Sequence, residues 1–489
     1  MSETISLKKS DYESGLSDYI KQEKAALELS NLIGKFWFER SVELIIFRNQ
    51  LVDRSTSEIL SLVQYAKDFV EKPINIFDTL ELAQILAQLE LAPSRIDIGR
   101  VAYEWLNEKD NYKNNKTDFI KDKFSSYVGS DKSNISPKDV VLYGFGRIGR
   151  LLMRELISQA GKGEQLRLRA VVLRNIGADD LHKRAELLRN DSVHGPFAGT
   201  VIEDTENMAL IVNGHTVYMI GSKSPESIDY TAYGINNAIL IDNTGVVRDR
   251  EGLSQHLKAK GIDKVLLTAP GKGDVPNVVY GVNENSSADG EKIFSAASCT
   301  TNAIVPVLSV IDKTIGIERG HIETIHAYTN DQNLLDNYHK KYRRGRSAAL
   351  NMVITETGAA KAVAKVLPHL DGILTGNAVR VPTPDVSLAI LNLTVKREVS
   401  KENINGLLKE AALKGDLIEQ IQFSQSNELV STDLVGNSCA SIVDSAATLV
   451  SKDQKSIVLY VWYDNEYGYS RQVIRYTKYL ANVIRLRYY

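Results

Sequence analysis

The sequence predicts an α/β chain: a mostly parallel sheet with crossover helices, then an α+β part with a mixed sheet, the whole preceded by an all-α N-terminal extension. Three observations predict it. After Pro137, short β-rich runs alternate with longer amphipathic segments, the habit of βαβ units. From about residue 320 the strand-like runs lengthen, as a mixed sheet requires. Before residue 137, apolar residues recur at spacings of three and four and glycine is scarce, which is helical periodicity.

In the extension, Val42, Leu44, Ile45, Leu51, Ile59, Leu60 and Val63 fit helical faces over 41–63. Leu80, Leu82, Ile85, Leu86 and Leu89 give a helix over 79–91. Ser94 is an expected N-cap for a helix through Ile98, Val101, Ala102 and Trp105. The helical module is read as residues 1–110. Residues 111–137 are rich in Asn, Ser and Lys and read as a linker; a short helix over 118–127 is the competing reading.

Composition narrows the classes. The 489 residues are 43% hydrophobic and 25% charged with net charge −2, so disorder is excluded as the main state. Two cysteines cannot build a disulfide framework, which points to a reducing compartment. The start MSETISLKKSDYESG has no apolar signal core, and no stretch approaches a membrane span. A cytoplasmic protein is expected, with no membrane partner. Near-neutral charge, and no basic cluster interleaved with aromatics, argue against nucleic acid.

Within the second part, Val140–Leu142, Ala170–Leu173, Val217–Ile220, Ala238–Ile241 and Lys264–Thr268 are the first strands, and Ile322–Tyr328, Ala378–Val381, Val386–Val395 and Ser456–Trp462 the later ones. The first strand runs into Gly144-Phe145-Gly146-Arg147-Ile148-Gly149, then an amphipathic helix. Strand, glycine turn and helix are the context in which GxGxxG binds a dinucleotide on a Rossmann fold. Gly144 makes the turn, Gly146 lets a pyrophosphate approach, and Gly149 lets helix and strand pack. The alternative for a lone motif is a βα turn without ligand. The second strand should end in an acid for the ribose hydroxyls, but it ends Leu173-Arg174-Asn175-Ile176. Arg174 or Asn175 could accept a 2′-phosphate, or Arg174 could face solvent; NAD and NADP both stay open.

Cys299 follows small residues and precedes the apolar run Ala303–Leu308. That puts the thiol at or near a helix N-terminus, where a thiolate is favoured. Cys439, in GNSCASIV, reads as a buried inert cysteine. His326 shares a strand face with Thr324 and Tyr328. It is either a core histidine or the base such a nucleophile needs.

Together the strings GFGRIGR, DSVHGPF, TAPGKGDVP, GVN, ASCTTN, HAYTNDQ, RRGRSAALNM, ETGAAKAV, RVPTPDVS and WYDNEYGYS resemble phosphorylating glyceraldehyde-3-phosphate dehydrogenases, in family order over about 138–489. The resemblance implies an NAD(P)-binding Rossmann domain over 138–298, a catalytic domain over 299–463 and a C-terminal helix over 464–489 returning to the cofactor domain. It implies oxidation and phosphorylation of glyceraldehyde 3-phosphate through a thioester on Cys299, with His326 as base. It further implies Ser298, Thr300, Thr357, Gly358 and Arg380 around inorganic phosphate. Thr329, Asp331 and Arg380 are implied for the substrate phosphate. Thr244, Gly245, Thr268, Asn465 and Tyr469 join the glycine turn, Arg147, Ile148, Arg174 and Asn175 as cofactor residues. No metal is implied, and the family assembles as a homotetramer.

The departures bear on the cofactor. Ile176 stands where an Asp is expected, Asn337-Tyr338 stand where a Leu-Pro pair excludes NADP, and TAPGKGD resembles NADP-using photosynthetic members. Dual or NADP-leaning use is the expectation. Glu356 replaces a common Ser beside the phosphate set. Two alternatives accompany the main reading: erythrose-4-phosphate dehydrogenase or a related aldehyde dehydrogenase, and an interaction or regulatory role for the extension, in which Trp37 and Phe38 bind a partner rather than the module's own core.

Overall fold

The computed structural model describes residues 9–129, 135–355 and 357–489. Glu356 and part of the expected linker (130–134) lie outside the described residues. The chain divides into two compact units: residues 1–136 with 484–489, and residues 137–483. Among the described residues no helix is long and apolar enough to cross a membrane.

The first unit is mainly helical, with helices Lys9–Arg40, Thr56–Val70, Ile76–Leu86, Ile98–Glu108 and Lys116–Lys123. It is not all-α. Glu43–Ile46 pairs antiparallel with Asn49–Gln50 and parallel with Ser94–Asp97, and the chain's last strand, Leu486–Tyr488, pairs parallel with Ser94–Asp97. The helix expected over 41–63 is therefore a strand pair followed by the Thr56–Val70 helix. Val42 to Phe47 is an almost unbroken apolar run buried on both faces, and such a run carries no period to separate strand from helix. Ser94 opens a strand rather than capping a helix; the cap is Asp97, which accepts from Arg100 N at 3.0 Å.

Residues 109–129 are folded too, which corrects the linker reading up to that point. Asn115 caps the Lys116–Lys123 helix, and Phe119, Ile120 and Phe124 are fully buried, with Phe119 at 5.4 Å from the Trp105 ring. Polar composition concealed three apolar anchors. Trp37 is buried under the Arg485 guanidinium, while Phe38 is exposed.

In the second unit the first sheet runs, in space, Ile293–Ser295, Ile262–Leu267, Ala238–Asp242, Lys138–Tyr143, Leu166–Leu173, His215–Gly221, Ala209–Val212 and Val201–Asp204. The first six of these are mutually parallel, and the last two are joined on by antiparallel pairings. The order reverses at Lys138–Tyr143, the topological switch point where open α/β sheets bind ligands. The second sheet is mixed, in the order Val353–Thr355, Leu374–Val381, Ile317–Ala327, Ser387–Val395, Ser456–Tyr463, Ser441–Asp444 and Ile421–Ser424. The helix Tyr467–Leu480 packs against the helix Arg147–Ser158, with Arg471 at 2.6 Å from Glu155. The expected C-terminal helix thus ends at Leu480, and the last six residues belong to the first unit.

Candidate active site

The glycine turn is built by contact. Gly144 has φ +98°, a conformation glycine adopts without strain. A Cβ on Gly149 would lie 2.6 Å from Gly144 O, so no larger residue fits between turn and helix. Above Gly146 a Cβ would meet nothing within 4 Å. Gly146 is also the N-cap of the Arg147–Ser158 helix and offers no side-chain cap. Uncapped N–H groups facing open space fit a pyrophosphate.

Arg147 and Ile148 form the first turn of that helix. The Arg147 side chain is committed to acids: its Nε lies 2.6 Å from Glu466 Oε1 and its Nη1 3.3 Å from Asp191. Arg174 and Asn175 are exposed just past the second strand, while Ile176 is the nearest neighbour of Gly221. Thr244 and Gly245 sit beside the turn, and Thr244 Cγ2 would touch a Cβ on Gly144 at 3.0 Å. Buried Asp242 holds this loop by accepting from Thr244 N and Oγ1, both at 2.7 Å, and His256 Nε2 stands 3.2 Å from its other oxygen. Thr268 Oγ1 donates to Asp242 O at 3.1 Å.

Ser298 caps the Cys299–Thr314 helix, accepting from Thr301 N at 3.0 Å. Cys299 is therefore its first residue. Its Sγ lies 3.6 Å from His326 Nε2, at the end of the strand Ile317–Ala327. Burial raises the Cys299 thiol, against the opposing pull of Arg380 and Thr300. Burial also lowers the His326 imidazole to about 3, helped by the Arg380 charge. Both shifts favour the neutral forms, thiol and imidazole. Arg380 favours a thiolate while opposing an imidazolium.

Two groups that the motifs left unassigned complete this wall. Tyr463 OH lies 3.0 Å from Thr300 Oγ1 and 2.7 Å from Thr324 Oγ1. Ser387 Oγ accepts from Ala327 N at 3.1 Å and donates to Asn465 Oδ1 at 2.7 Å. Tyr463 sits beside Asn465 in WYDNE, and strand alternation could have turned it inward with Val461; nothing in the sequence marks Ser387. Tyr469 OH donates to Ala297 O at 2.9 Å, so it supports the loop that delivers Cys299.

The expected phosphate residues separate into two neighbourhoods. Ser298, Thr300 and Arg380 stand at the thiol. Among the described residues the buried Arg380 Nε has no hydrogen-bond partner, a donor suited to an anion. Thr357 lines a cavity of about 570 Å³ with Lys341, Arg343, Arg344 and Thr355. Gly358 is exposed at the start of the next helix. Asp331 is paired with Arg344, and Thr329 is half-buried.

A dinucleotide fold with an open glycine turn, joined to a sheet that brings a thiol to an imidazole, defines a nicotinamide-dependent oxidoreductase. Residues 138–250 match the family model for the glyceraldehyde 3-phosphate dehydrogenase NAD binding domain, and residues 298–465 match that for the C-terminal domain. A glyceraldehyde-3-phosphate dehydrogenase-like protein of Pseudomonas aeruginosa is 50% identical over 455 residues, 92% of this chain and 98% of that protein. Glyceraldehyde-3-phosphate dehydrogenase of Zymomonas mobilis is 40% identical over 336 residues, 68% of this chain and 96% of that protein. The chloroplastic A form of Zea mays is 40% identical over 343 residues, 70% of this chain and 82% of that protein. The chain belongs to the glyceraldehyde 3-phosphate dehydrogenase family. The Pseudomonas alignment is long enough to take in most of the N-terminal unit as well.

Proposed function

We propose that the chain oxidises glyceraldehyde 3-phosphate and phosphorylates the product to 1,3-bisphosphoglycerate, reversibly, in glycolysis or gluconeogenesis. The observation that carries the reading is the 3.6 Å approach of Cys299 Sγ to His326 Nε2, with Arg380 against the other ring nitrogen. Cys299 gives its proton to His326 and attacks the aldehyde carbon as thiolate, and the proton passes from His326 to the new oxyanion to form the hemithioacetal hydroxyl. His326 then takes the hydroxyl proton of the hemithioacetal; a nicotinamide held by Asn465 and Tyr469 would supply the hydride acceptor. The carbon then remains on Cys299 as a thioester, which keeps the free energy of oxidation. Inorganic phosphate attacks that thioester, the C–S bond breaks, and the acyl phosphate leaves.

Ser298, Thr300, Thr357, Gly358 and Arg380 are proposed for inorganic phosphate, and Thr329, Asp331 and Arg380 for the phosphate of the substrate. Gly144, Gly146, Thr244, Gly245, Thr268, Asn465 and Tyr469 are proposed to hold the cofactor. The family model supports a nucleotide cofactor; the NADP lean rests on exposed Arg174 and on Ile176 where an acid would repel a 2′-phosphate. The domain division proposed is 138–298 for cofactor, 299–463 for catalysis, and a helix from 467 back to the cofactor side.

A homo-oligomer is proposed, a tetramer by family. Leu334, Leu335, Tyr338, Tyr342, Leu350 and Met352 are all exposed within one short stretch, and clustered apolar surface of this kind marks a protein–protein contact. A cytoplasmic site is proposed from the two free thiols, which a reducing compartment keeps unpaired. The test is a cofactor-resolved assay with glyceraldehyde 3-phosphate, with and without inorganic phosphate, and with erythrose 4-phosphate as competitor aldehyde. Turnover that ignores phosphate, or that prefers the four-carbon sugar, refutes the reading.

A further inference from the structure

The segments on either side of Asn465 and Ser387 meet through acids. His194, Asp385 and Asp464 offer atoms all within 4.8 Å of one another, and Glu466 Oε2 lies 3.0 Å from His194 Nε2. These groups are provided for unequally. Asp464 accepts backbone N–H bonds from Gly436 at 2.8 Å, Glu466 at 2.9 Å and Tyr467 at 2.6 Å, a cage that favours the anion. Glu466 has Arg147, which also reaches Asp191. His194 is bonded to Glu466 and stands 3.5 Å from Asp385. Asp385 is buried, and among the described residues neither of its oxygens has a side-chain donor in hydrogen-bond geometry. Ionised, it would face two carboxylates with no donor of its own.

We propose that Asp385 is kept as the neutral acid and donates its proton to Asp464. The resulting carboxyl–carboxylate bridge ties Asp385–Ser387 to the turn Asp464–Glu466 and so positions Asn465 for the cofactor. The proposal rests on the reading of Asn465 as a cofactor residue. The backbone between the two attachments supports it. Val386 has φ +63°, a conformation a β-branched residue holds only where its surroundings over-determine it. The bridge fixes Val386 on one side, and Ser387 Oγ, bonded to Asn465 Oδ1 at 2.7 Å, fixes it on the other. Burial, then Asp464 and Glu466, raise the Asp385 carboxyl far above the usual carboxylate range. Asp385 is a positioning residue; it touches neither substrate nor cofactor.

The sign follows. The fold selects the protonated form, so the bridge is intact at neutral pH and is lost as pH rises through the raised folded value. Isothermal titration of the full chain with NAD, and separately with NADP, tests this in wild type and Asp385→Asn. Asn keeps a neutral donor of the same shape. Wild-type dissociation constants are expected to weaken about tenfold from neutral to strongly alkaline pH. The variant is expected to bind as wild type at neutral pH and to weaken less than about twofold over the same range.

Infrared spectra of wild type alone should show a protonated carboxyl band at neutral pH that fades on alkalinisation, a reading that survives even if the variant fails to fold. Parallel binding profiles in the two proteins overturn the proposal, as does absence of the band. So does a zinc ion that copurifies with wild type and is lost in Asp385→Asn, because the acids would then be ligands. Failure of wild type to bind any nicotinamide dinucleotide at neutral pH would instead refute the dehydrogenase reading, and this proposal with it.

Discussion

Arg380 Nη1 lies 2.9 Å from His326 Nδ1, the ring nitrogen opposite the one that faces Cys299. Ala327 O lies 2.7 Å from the same ring nitrogen and accepts from Arg380 Nη1 at 2.9 Å. A carbonyl oxygen has two lone pairs and can accept from both, which puts the imidazole proton on Nδ1 and leaves a lone pair on Nε2, toward the sulfur. Arg380 and His326 thus share one carbonyl, and that sharing presents His326 to Cys299 as a base.

This relationship predicts a pH profile. Since burial raises the thiol and lowers the imidazole, the acid limb of kcat/KM should follow Cys299 and titrate in the thiol range, with no limb near an ordinary imidazole. His326→Asn should lower kcat by about 10²–10⁴-fold. The stability consequence has a definite sign. The folded imidazole titrates at about 3 and the unfolded one near 6.5, so the unfolded state binds the extra proton between them. Stability should fall as pH drops through that window, and chemical denaturation of His326→Asn should show a shallower fall.

The two cysteines should separate cleanly. Cys299→Ser should cost at least about a thousandfold in kcat, because the hydroxyl is a far weaker nucleophile. Cys439 packs among Val386, Leu434 and Ile442. Cys439→Ser should keep kcat and lose about 1–3 kcal/mol of stability by burying a hydroxyl there. Assays beside urea melts would show both, and a catalytic loss at Cys439 would contradict the assignment.

The glycines of the turn should fail in different ways. Gly149→Ala forces a methyl to 2.6 Å from Gly144 O and should destabilise the fold by about 1–3 kcal/mol. Gly146→Ala meets nothing within 4 Å and should fold normally, yet its methyl occupies the approach of the pyrophosphate and should raise KM for the cofactor. Thermal melts and cofactor titrations distinguish the two; equal effects on both quantities would count against the assignment.

The last residues should matter to the first unit. Leu486–Tyr488 supplies a sheet edge there, Tyr488 packs tilted against Phe124 with ring centroids at 4.5 Å, and Tyr127 OH bonds Arg487 O. Removing residues 484–489 should expose the N-terminal unit to limited proteolysis. Deleting residues 1–136 alone should leave an unpaired aromatic strand and cause aggregation, whereas deleting both segments should restore solubility.

Much was legible in the sequence because it is local. GFGRIGR needs only strand, turn and helix to become an anion site, and ASCTTN carries its own cap in Ser298, so Cys299 had to open a helix. The strand ending at His326 showed its alternation. What remained hidden was set by contacts between distant positions. The strand at Glu43 is one because Ser94–Asp97 lies beside it, and that sheet closes with residues from the far end of the chain. Residues 109–129 read as polar because three buried side chains are few among many solvated ones. Asp385 looks like any loop acid in RVPTPDVS; only the fold buries it beside Asp464 and His194. Sequence determines periodicity, caps and turn chemistry, since these act within a few residues. Which backbone edge is paired, and which charge is left in a dry place without a partner, depends on what the chain brings back from hundreds of residues away.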